Sequence, residues 1–257
     1  MVAKQKGSDE ISILEVSKGT IEFCVLGSTP LILNRMSEKA SRELLLPRKK
    51  SQAERAANLK HNPPEEYRAS AYRAKESDKK APTRILLPAT AFKGAMASVA
   101  TDIPGAARAQ IGRLTYVNGD YIHIYGVPQL FMTIVRSADM NKTPDVRTRA
   151  ILPEWACKVS VTFVKPILRE QPVANLFAAA GLMRGVGDYR VEKGKGNYGQ
   201  FELVEKTDGR FLSVLKNGGL KAQDDAFKTP ECYDVESAEL LSWFTAEASR
   251  RGFEVVA

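Results

Sequence analysis

Residues 181–203 read GLMRGVGDYRVEKGKGNYGQFEL, and this stretch decides the class of fold. It holds six glycines and four basic residues, and it ends in an alternating pattern at residues 198–203 that is typical of a strand. Residues 194–199 match the GxGxxG pattern, but a dinucleotide site needs a helix after the glycines, and here a strand follows. We therefore exclude a Rossmann-type cofactor site. Glycine mixed with arginine and lysine predicts backbone lying close to an anion, for which a nucleic-acid phosphate is the best candidate.

The flanking sequence predicts strands and helices in mixed order. Apolar residues alternate, as they do in strands, at residues 20–33, 84–88, 121–125, 129–135 and 155–164. Helical composition is found at residues 89–100, 106–114, 171–183 and 237–251, and Thr90 is placed to cap the first of these helices. This order predicts an α+β fold: an RRM-like or ferredoxin-like antiparallel sheet with helices on one face.

The chain is basic, and its charge is unevenly distributed. It has 257 residues, a formal net charge of +8 and a pI near 9.3. Residues 35–84 hold 14 basic and 7 acidic residues, whereas residues 208–257 hold 6 basic and 9 acidic ones. Such segregation favours a binding face for an acidic partner, although a solvated lysine-rich surface would also produce it.

The cysteines and the absence of long apolar runs indicate the cellular compartment in which the protein is expected. Cys24, Cys157 and Cys232 are far apart and form no CxxC pair, and the first two lie in apolar alternating runs. We expect buried free thiols, as in a reducing cytoplasm. The sequence has neither a signal-peptide pattern nor a run of about 18 apolar residues, so we predict a cytoplasmic protein without a membrane partner.

Residues suited to catalysis are few. The sequence contains no HExxH, GxSxG or GxxxxGK[ST] motif, and it has only two histidines, His61 and His123. We therefore expect no metal ion, no cofactor and no catalytic residues. The position of His123 in an alternating run favours a strand residue over a general base.

Two further segments are rich in basic residues. Residues 136–150, RSADMNKTPDVRTRA, are predicted as a polar loop that joins the strands at 129–135 and 155–164 into a protruding hairpin. Basic hairpin arms can follow a phosphate backbone, and an apolar tip such as Met140 can wedge between bases, although a solvated connection is the alternative. Residues 35–83 are predicted as a charged, helical insertion at the edge of the sheet.

Two segments resemble motifs of one protein superfamily. Residues 87–96, LPATAFKGAM, resemble the strand-to-helix motif iPgsslKGalR of the RAMP superfamily of CRISPR-associated proteins. Residues 185–203 resemble its glycine-rich segment followed by G-x-G-x-F-x-L, and the opening strand with Pro30 and Leu31 resembles its first strand. Within the superfamily, the chain looks most like the backbone subunit that lines guide RNA in CRISPR effector complexes.

The resemblance implies a particular organisation of the chain. Residues 1–257 would form one RAMP-like domain with an RRM-like core and an acidic C-terminal extension at 208–257. Backbone subunits of this kind polymerise head to tail along single-stranded RNA, and a thumb hairpin from one protomer reaches over its neighbour. Residues 136–150 would be the thumb and residues 35–83 the helical lobe, while Thr90 and Lys93 would lie at a helix N-terminus that favours a phosphate. The loop at residues 33–36, LNRM, lacks the acidic residue with which family members cut target RNA, so cleavage is not expected.

We therefore expect a non-catalytic protein of antiviral defence that forms a repeated subunit of a ribonucleoprotein complex. We expect it to bind single-stranded nucleic acid, with guide RNA a better candidate than DNA. Its expected partners are the nucleic acid, copies of itself in a head-to-tail filament and other effector-complex subunits. Two alternatives stay open: a metal-independent RNA-processing endoribonuclease that uses His123 or Tyr189, and a RAMP-like decoy that binds CRISPR subunits. The candidate nucleic-acid-binding residues are Arg35, Lys49, Lys50, Thr90, Lys93, Arg136, Lys142, Arg147, Arg149, Arg184, Arg190, Lys193 and Lys195.

Overall fold

A computed structural model of the protein describes residues 13–36, 41, 44–46, 59–136, 144–193 and 196–253. The strands are Ser17–Gly27 (β1), Leu31–Ile32 (β2), Tyr72–Arg73 (β3), Ile85–Pro88 (β4), Thr115–Val117 (β5), Tyr121–Tyr125 (β6), Gln129–Arg136 (β7), Pro144–Leu152 (β8), Ala156–Lys165 (β9) and Phe201–Val204 (β10). The helices are Pro63–Ala69 (α1), Ala89–Val99 (α2), Arg108–Leu114 (α3), Glu170–Met183 (α4), Gly209–Asn217 (α5), Leu220–Lys228 (α6) and Val235–Arg250 (α7), with a 3₁₀ turn at Val191–Lys193.

The larger sheet is antiparallel and has the strand order β10-β1-β9-β6-β4-β3, with β5 pairing to β9 beside β6. Its central elements occur along the chain in the order β1, α2, β5, β6, β9, α4 and β10. This order follows the split βαβ arrangement of a ferredoxin-like fold. The predicted α+β class and antiparallel sheet are therefore confirmed.

Alternation along the central strands places the main core on the helical face of this sheet. Phe23 and Val25 of β1 point to the same side as Val159 and Val161 of β9, and all four are buried. Helices α2 and α4 pack on that side, where three phenylalanine rings meet. The ring centroid of Phe201 lies 5.7 Å from that of Phe92 on α2 and 5.3 Å from that of Phe177 on α4. Such aromatic contacts fix the two helices against β10, which follows the glycine-rich segment.

The opposite face of the sheet is covered at one end by α5. Cys24, Leu26 and Ala156 form a smaller apolar cluster there with Phe211 and Val214 of that helix. The thiols of Cys24 and Cys157 are buried and free, which confirms the prediction for these two cysteines, whereas Cys232 is half-buried. Burial raises the pKa of the Cys157 thiol far above its usual range, because the thiolate would lose its hydration.

The second sheet corrects the prediction for residues 136–150. The structure has a strand, β8, over Pro144–Leu152 where the sequence predicted a loop, and β8 lies between β2 and β7. The hairpin partner of β7 is therefore β8 rather than β9, and the residues 137–143 that join them lie outside the described part of the chain. The arginines at 147 and 149 made the strand look like a polar connection, although Val146, Thr148 and Ala150 recur with the period of two that marks a strand.

The described end of the predicted insertion is part of the packed structure. Tyr67 of α1 is fully buried, and its hydroxyl donates to the carbonyls of Pro128 at 3.1 Å and Ala226 at 3.3 Å. Tyr67 therefore joins the start of β7 to the C-terminal helices. Residues 37–40, 42–43 and 47–58 of the predicted insertion lie outside the described residues.

The C-terminal helices also pack against the sheets. Gln223 of α6 is fully buried beside β4, and α7 lies along β7, where the Ser237 hydroxyl accepts from the backbone N–H of Met132 at 3.0 Å. Across the described ranges, no helix has the length and apolar character needed to cross a membrane.

An ion pair between buried Arg84 and half-buried Asp224 ties α6 to the start of β4 and makes stability depend on pH. Arg84, 3% exposed, donates from Nε to Asp224 Oδ1 at 2.7 Å and from Nη2 to Oδ2 at 2.9 Å. These bonds hold the pKa of Asp224 below its usual range, because they favour the carboxylate. The pair therefore stabilises the fold above about pH 4, the ordinary pKa of aspartate, and this contribution is lost as the pH falls through the lower folded pKa.

We expect Asp224→Asn to lower the melting temperature at neutral pH and to flatten its fall below about pH 4, because the variant has no carboxylate to protonate. The neighbouring Asp225→Asn is the matched control, since Asp225 is exposed. Melting curves at several pH values measure both effects, and equal acid dependence of the two variants would contradict the assignment.

Candidate nucleic-acid interface

The two segments that carry the RAMP resemblance lie on either side of one cleft of about 630 Å³. One side is the junction of β4 with α2, and the other is the backbone of residues 186–188 with Arg190 and Glu192. The remaining lining comes from the chain after β2, the end of α1, β3 and the start of α3. We call this the motif cleft, and its lining residues are Leu33, Asn34, Ser70, Tyr72, Leu87, Pro88, Thr90, Ala91, Gly94, Ala95, Arg108, Val186, Gly187, Asp188, Arg190 and Glu192.

The α2 side of the motif cleft is made of small residues. Thr90 is exposed, and Ala91, Gly94 and Ala95 continue the same helix face. A Cβ on Gly94 would meet no atom within 4 Å, so the helix backbone is open to the cleft at that position. The first-turn amides of a helix lack intrahelical partners and favour an anion. A phosphate could therefore approach this end of α2 closely.

Thr90 does not cap the helix as predicted. The N-cap is Pro88, without a side-chain hydrogen bond, and Thr90 lies within the first turn. The N–H of Ala89 donates to the carbonyl of Asp120 at 2.9 Å, so the turn before β6 satisfies the first amide instead of a hydroxyl. Thr90 is exposed and lines the motif cleft from the first turn of α2.

Three guanidinium groups lie in or beside the motif cleft. Arg108, at the start of α3, is exposed, and Arg35 lies with its guanidinium carbon 5.7 Å from the centroid of the Tyr72 ring. Arg190 donates from Nη1 to the carbonyl of Gly187 at 2.9 Å and from Nε to Glu192 at 3.1 Å. Both arginines that were predicted here, Arg35 and Arg190, are therefore next to the cleft.

Two carboxylates in the motif cleft are held by neighbouring groups. A hydrogen bond from the Ser98 hydroxyl, followed by the bond from Arg190, holds the pKa of Glu192 below its usual range. Asp188 accepts from the amide of Asn34 at 3.0 Å and pairs with Arg149. Glu192 therefore stays ionised under most conditions, and the arginine charge of the cleft is partly balanced.

Arg149 is in the wrong environment for the predicted contact with a phosphate. Its side chain is 3% exposed, and its Nη1 lies 2.8 Å from Asp188 Oδ2 but is not aligned for a hydrogen bond. Its guanidinium carbon lies 5.6 Å from the centroid of the Tyr189 ring. Burial lowers the pKa of Arg149, because desolvation disfavours the cation. The residue fixes the glycine-rich segment against β8, and the prediction failed because residues 136–150 were taken for a loop, whereas Arg149 lies on β8.

The other predicted residues do not line the motif cleft. Arg184 pairs with Asp102 and donates to the Ser98 hydroxyl at 3.2 Å, so it holds α4 to the end of α2. Lys93 is half-exposed on α2, and Arg136 and Arg147 are exposed on the β7–β8 hairpin. For Lys193 only the backbone is described, in the 3₁₀ turn. The predictions for Lys49, Lys50, Lys142 and Lys195 lie outside the described residues.

Two described glycines of the glycine-rich segment, Gly187 and Gly199, let the chain approach itself closely. Gly187 has a φ of +83°, and a Cβ there would lie 2.5 Å from Leu31 Cδ1 and 2.7 Å from the carbonyl oxygen of Ile32. Gly199 has a φ of +72°, and a Cβ would overlap the carbonyl oxygen of Val186. Glycine is needed at both positions for the turn and for the contact. Gly187 lines the motif cleft, and Gly199 packs against Val186, which also lines it.

The residues of the ribonuclease alternative are engaged elsewhere. His123 lies on β6, where its Nδ1 shares a hydrogen bond of 2.9 Å with the Thr83 hydroxyl. Tyr189 has a φ of +51°, which is uncommon outside glycine, and its ring lies against the Arg149 guanidinium. Among the residues that the structure describes, no three His, Cys, Asp or Glu side chains are grouped to hold a metal ion.

Sequence reasoning missed Arg108 and Tyr72, which also line the motif cleft. Arg108 had a readable signal, because it is the first residue of a short helix that follows α2. Tyr72 had none, because β3 is two residues long and lies within the predicted insertion.

No protein-family model matches this sequence, and no curated protein matches it either. A chain in the structure titled "Cryo-EM structure of the Type III-B Cmr-beta bound to cognate target RNA" is similar to this one, with 15% identity and a TM-score of 0.35. The alignment covers 73% of this chain and 59% of that chain, so the match spans little more than half of the solved protein. A likeness this weak supports no conclusion about the function of the motif cleft.

Proposed function

We propose that this chain is a non-catalytic protein that binds single-stranded RNA in the motif cleft and serves as a repeated subunit of a CRISPR-type ribonucleoprotein complex. The observation that carries the proposal is that two RAMP-like segments, about a hundred residues apart in sequence, line one cleft with Arg108 and Arg190 in its wall. The subunit would act in the cytoplasm, with copies of itself and other effector subunits as its partners.

The geometry of the motif cleft suits a sugar–phosphate backbone better than a base-reading site. A phosphate at the start of α2 would meet first-turn amides and the Thr90 hydroxyl, and Gly94 leaves room for it against the helix. Arg108 and Arg190 would add charge from the other sides. Tyr72, with Arg35 against its ring, offers a surface on which a base could stack. Binding of this kind tolerates many sequences and weakens steeply with salt.

Arg108→Ala tests the proposal, with Arg113→Ala on the same helix as its matched control. Both arginines are exposed, but only Arg108 lines the motif cleft. We expect Arg108→Ala to weaken binding of a labelled single-stranded RNA several-fold and to reduce the slope of log affinity against log salt by about 0.7, the value for one phosphate contact on a single strand. Arg113→Ala should leave both quantities unchanged. Anisotropy titrations at several salt concentrations measure them.

Three results would contradict the proposal. One is RNA binding that is unchanged in Arg108→Ala, and another is an equal loss in both variants, since this would indicate diffuse attraction to a basic surface. Cleavage of the RNA during the titration would contradict the non-catalytic role. If His123→Ala then abolished that cleavage, the ribonuclease alternative would replace the non-catalytic role.

A further inference from the structure

Asp188 leaves one carboxylate oxygen unused at the motif cleft. Its Oδ2 accepts from the amide of Asn34 at 3.0 Å and lies 2.8 Å from Nη1 of Arg149. No group in the described ranges of the chain forms a hydrogen bond or an ion pair with Oδ1. The side chain is 26% exposed, and the residue lines the cleft. Oδ1 is therefore an acceptor that is open to a bound molecule.

The surroundings of Asp188 hold this carboxylate in place before any ligand arrives. The backbone N–H of Asp188 donates to the carbonyl of Ile32 at 3.0 Å, and the guanidinium of Arg149 is buried behind Oδ2. A half-turn of the carboxylate would only exchange its two equivalent oxygens, so one of them stays open in either position. An acceptor that is fixed in advance costs little ordering entropy when it binds a ligand.

The neighbouring acceptors on the same wall of the motif cleft are already in use. Glu192 accepts from the Ser98 hydroxyl with Oε1 and from Arg190 Nε with Oε2. The carbonyl of Gly187 accepts from Arg190 Nη1 at 2.9 Å. Asp188 Oδ1 differs from these three oxygens because its lone pairs have no protein donor.

A carboxylate is unfavourable beside a phosphate unless a donor of the ligand meets it. The oxygens of the phosphates and of the sugar ring can only accept hydrogen bonds. The single donor that a sugar–phosphate backbone offers within the strand is the ribose 2′-hydroxyl, which DNA lacks. A carboxylate oxygen in a cleft that otherwise presents amides and guanidinium groups to phosphates is therefore matched to ribose.

We propose that Asp188 Oδ1 accepts a hydrogen bond from a ribose 2′-hydroxyl, so that the motif cleft selects RNA over DNA. This inference rests on the proposed function, and it adds which of the two nucleic acids the cleft takes and which residue makes the choice. The contact is to the sugar, so the selection is independent of base sequence.

Three single strands of one sequence test the proposal on the wild-type protein: RNA, RNA with 2′-fluorine in place of every 2′-hydroxyl, and DNA. The fluorinated strand keeps the sugar pucker of RNA but has no hydroxyl proton to donate, so it separates the hydrogen bond from the shape of the strand. We expect RNA to bind about tenfold or more tightly than the fluorinated strand, as for a hydrogen bond to a charged group. Fluorescence anisotropy measures the three affinities.

Asp188→Asn assigns the preference to this side chain. Asn34 and Arg149 both direct N–H groups at the Oδ2 position, so the amide oxygen should take that place and the NH₂ group should replace Oδ1. The variant then has no acceptor for the hydroxyl, and we expect its affinities for RNA and the fluorinated strand to agree within about twofold. Asp120→Asn is the matched control. Asp120 is exposed before β6 and does not line the motif cleft, so the same loss of charge should leave the wild-type preference intact.

The outcomes separate this inference from the proposed function. Equal binding of RNA and the fluorinated strand by the wild-type protein would overturn the role of Asp188. So would a preference that survives in Asp188→Asn or disappears in Asp120→Asn. In each of these cases the proposed function still stands if Arg108→Ala weakens binding of both strands, and it fails with them if Arg108→Ala has no effect.

Discussion

Replacing Gln223 by leucine should destabilise the protein by at least about 3 kcal/mol, because one buried side chain satisfies five backbone groups. Its Oε1 accepts from the N–H of Arg84 at 2.7 Å and of Ile85 at 2.9 Å. Its Nε2 lies 2.8 Å from the carbonyl of Ile124 and 2.9 Å from those of Gly126 and Gly218. Leucine fills similar space but removes all of these bonds, so that the buried N–H groups of Arg84 and Ile85 lose this acceptor, while the Gly218 carbonyl keeps the bond from the N–H of Gly126 at 2.9 Å. Urea unfolding measures the loss.

Gln110→Leu is the matched control for this change. Gln110 is exposed on α3, and its replacement should change the free energy of unfolding by no more than about 0.5 kcal/mol. A loss below about 1 kcal/mol in Gln223→Leu would mean that the five backbone groups find other partners, and it would refute the role given to Gln223.

Gly199→Ala should have an effect of similar size and should also abolish binding at the motif cleft. The substitution combines an unfavourable φ of +72° with a Cβ that overlaps the Val186 carbonyl, and neither backbone can move freely. Gly199 donates to the carbonyl of Pro30 at 2.8 Å and accepts from Val186 at 2.9 Å. We expect a loss of more than about 3 kcal/mol, from left-handed strain of about 1–2 kcal/mol plus the collision.

Gly105→Ala separates the two causes. Gly105 has a φ of +85°, but a Cβ there would meet no atom within 4 Å. It should therefore show the strain alone, about 1–2 kcal/mol, with RNA binding unchanged. Thermal or urea unfolding of both variants gives the comparison. Equal losses would show that the close approach of Gly199 to Val186 contributes nothing.

The sequence predicted the central fold well because its signals there are local. Apolar residues recur with a period of two in β1, β6 and β9, and glycines stop α4 before β10, so the order of elements could be read directly. The strand β8 was missed for a physical reason. Arg147 and Arg149 lie on the same face of β8, and the charge of Arg149 is neutralised by Asp188 from a segment that only the fold brings near.

The candidate site was half predictable. The segments around Thr90 and Arg190 were identified from motifs, and both line the motif cleft. Whether an arginine faces a cleft or a carboxylate depends on contacts between distant parts of the chain, so Arg149 and Arg184 could not be distinguished from Arg190 by composition. The same holds for Gly187, whose need for a missing Cβ comes from Leu31 and Ile32, which lie far away in sequence.

The bonds of Gln223 also set an order of events during synthesis. Arg84 and Ile85 precede it by 139 and 138 residues, and the strand they begin runs directly into α2, whose first turn forms one side of the motif cleft. A chain that leaves the ribosome from its N-terminus exposes the start of β4 long before Gln223 emerges. The bonds that hold the backbone leading into the motif cleft can therefore form only after α6 has been synthesised.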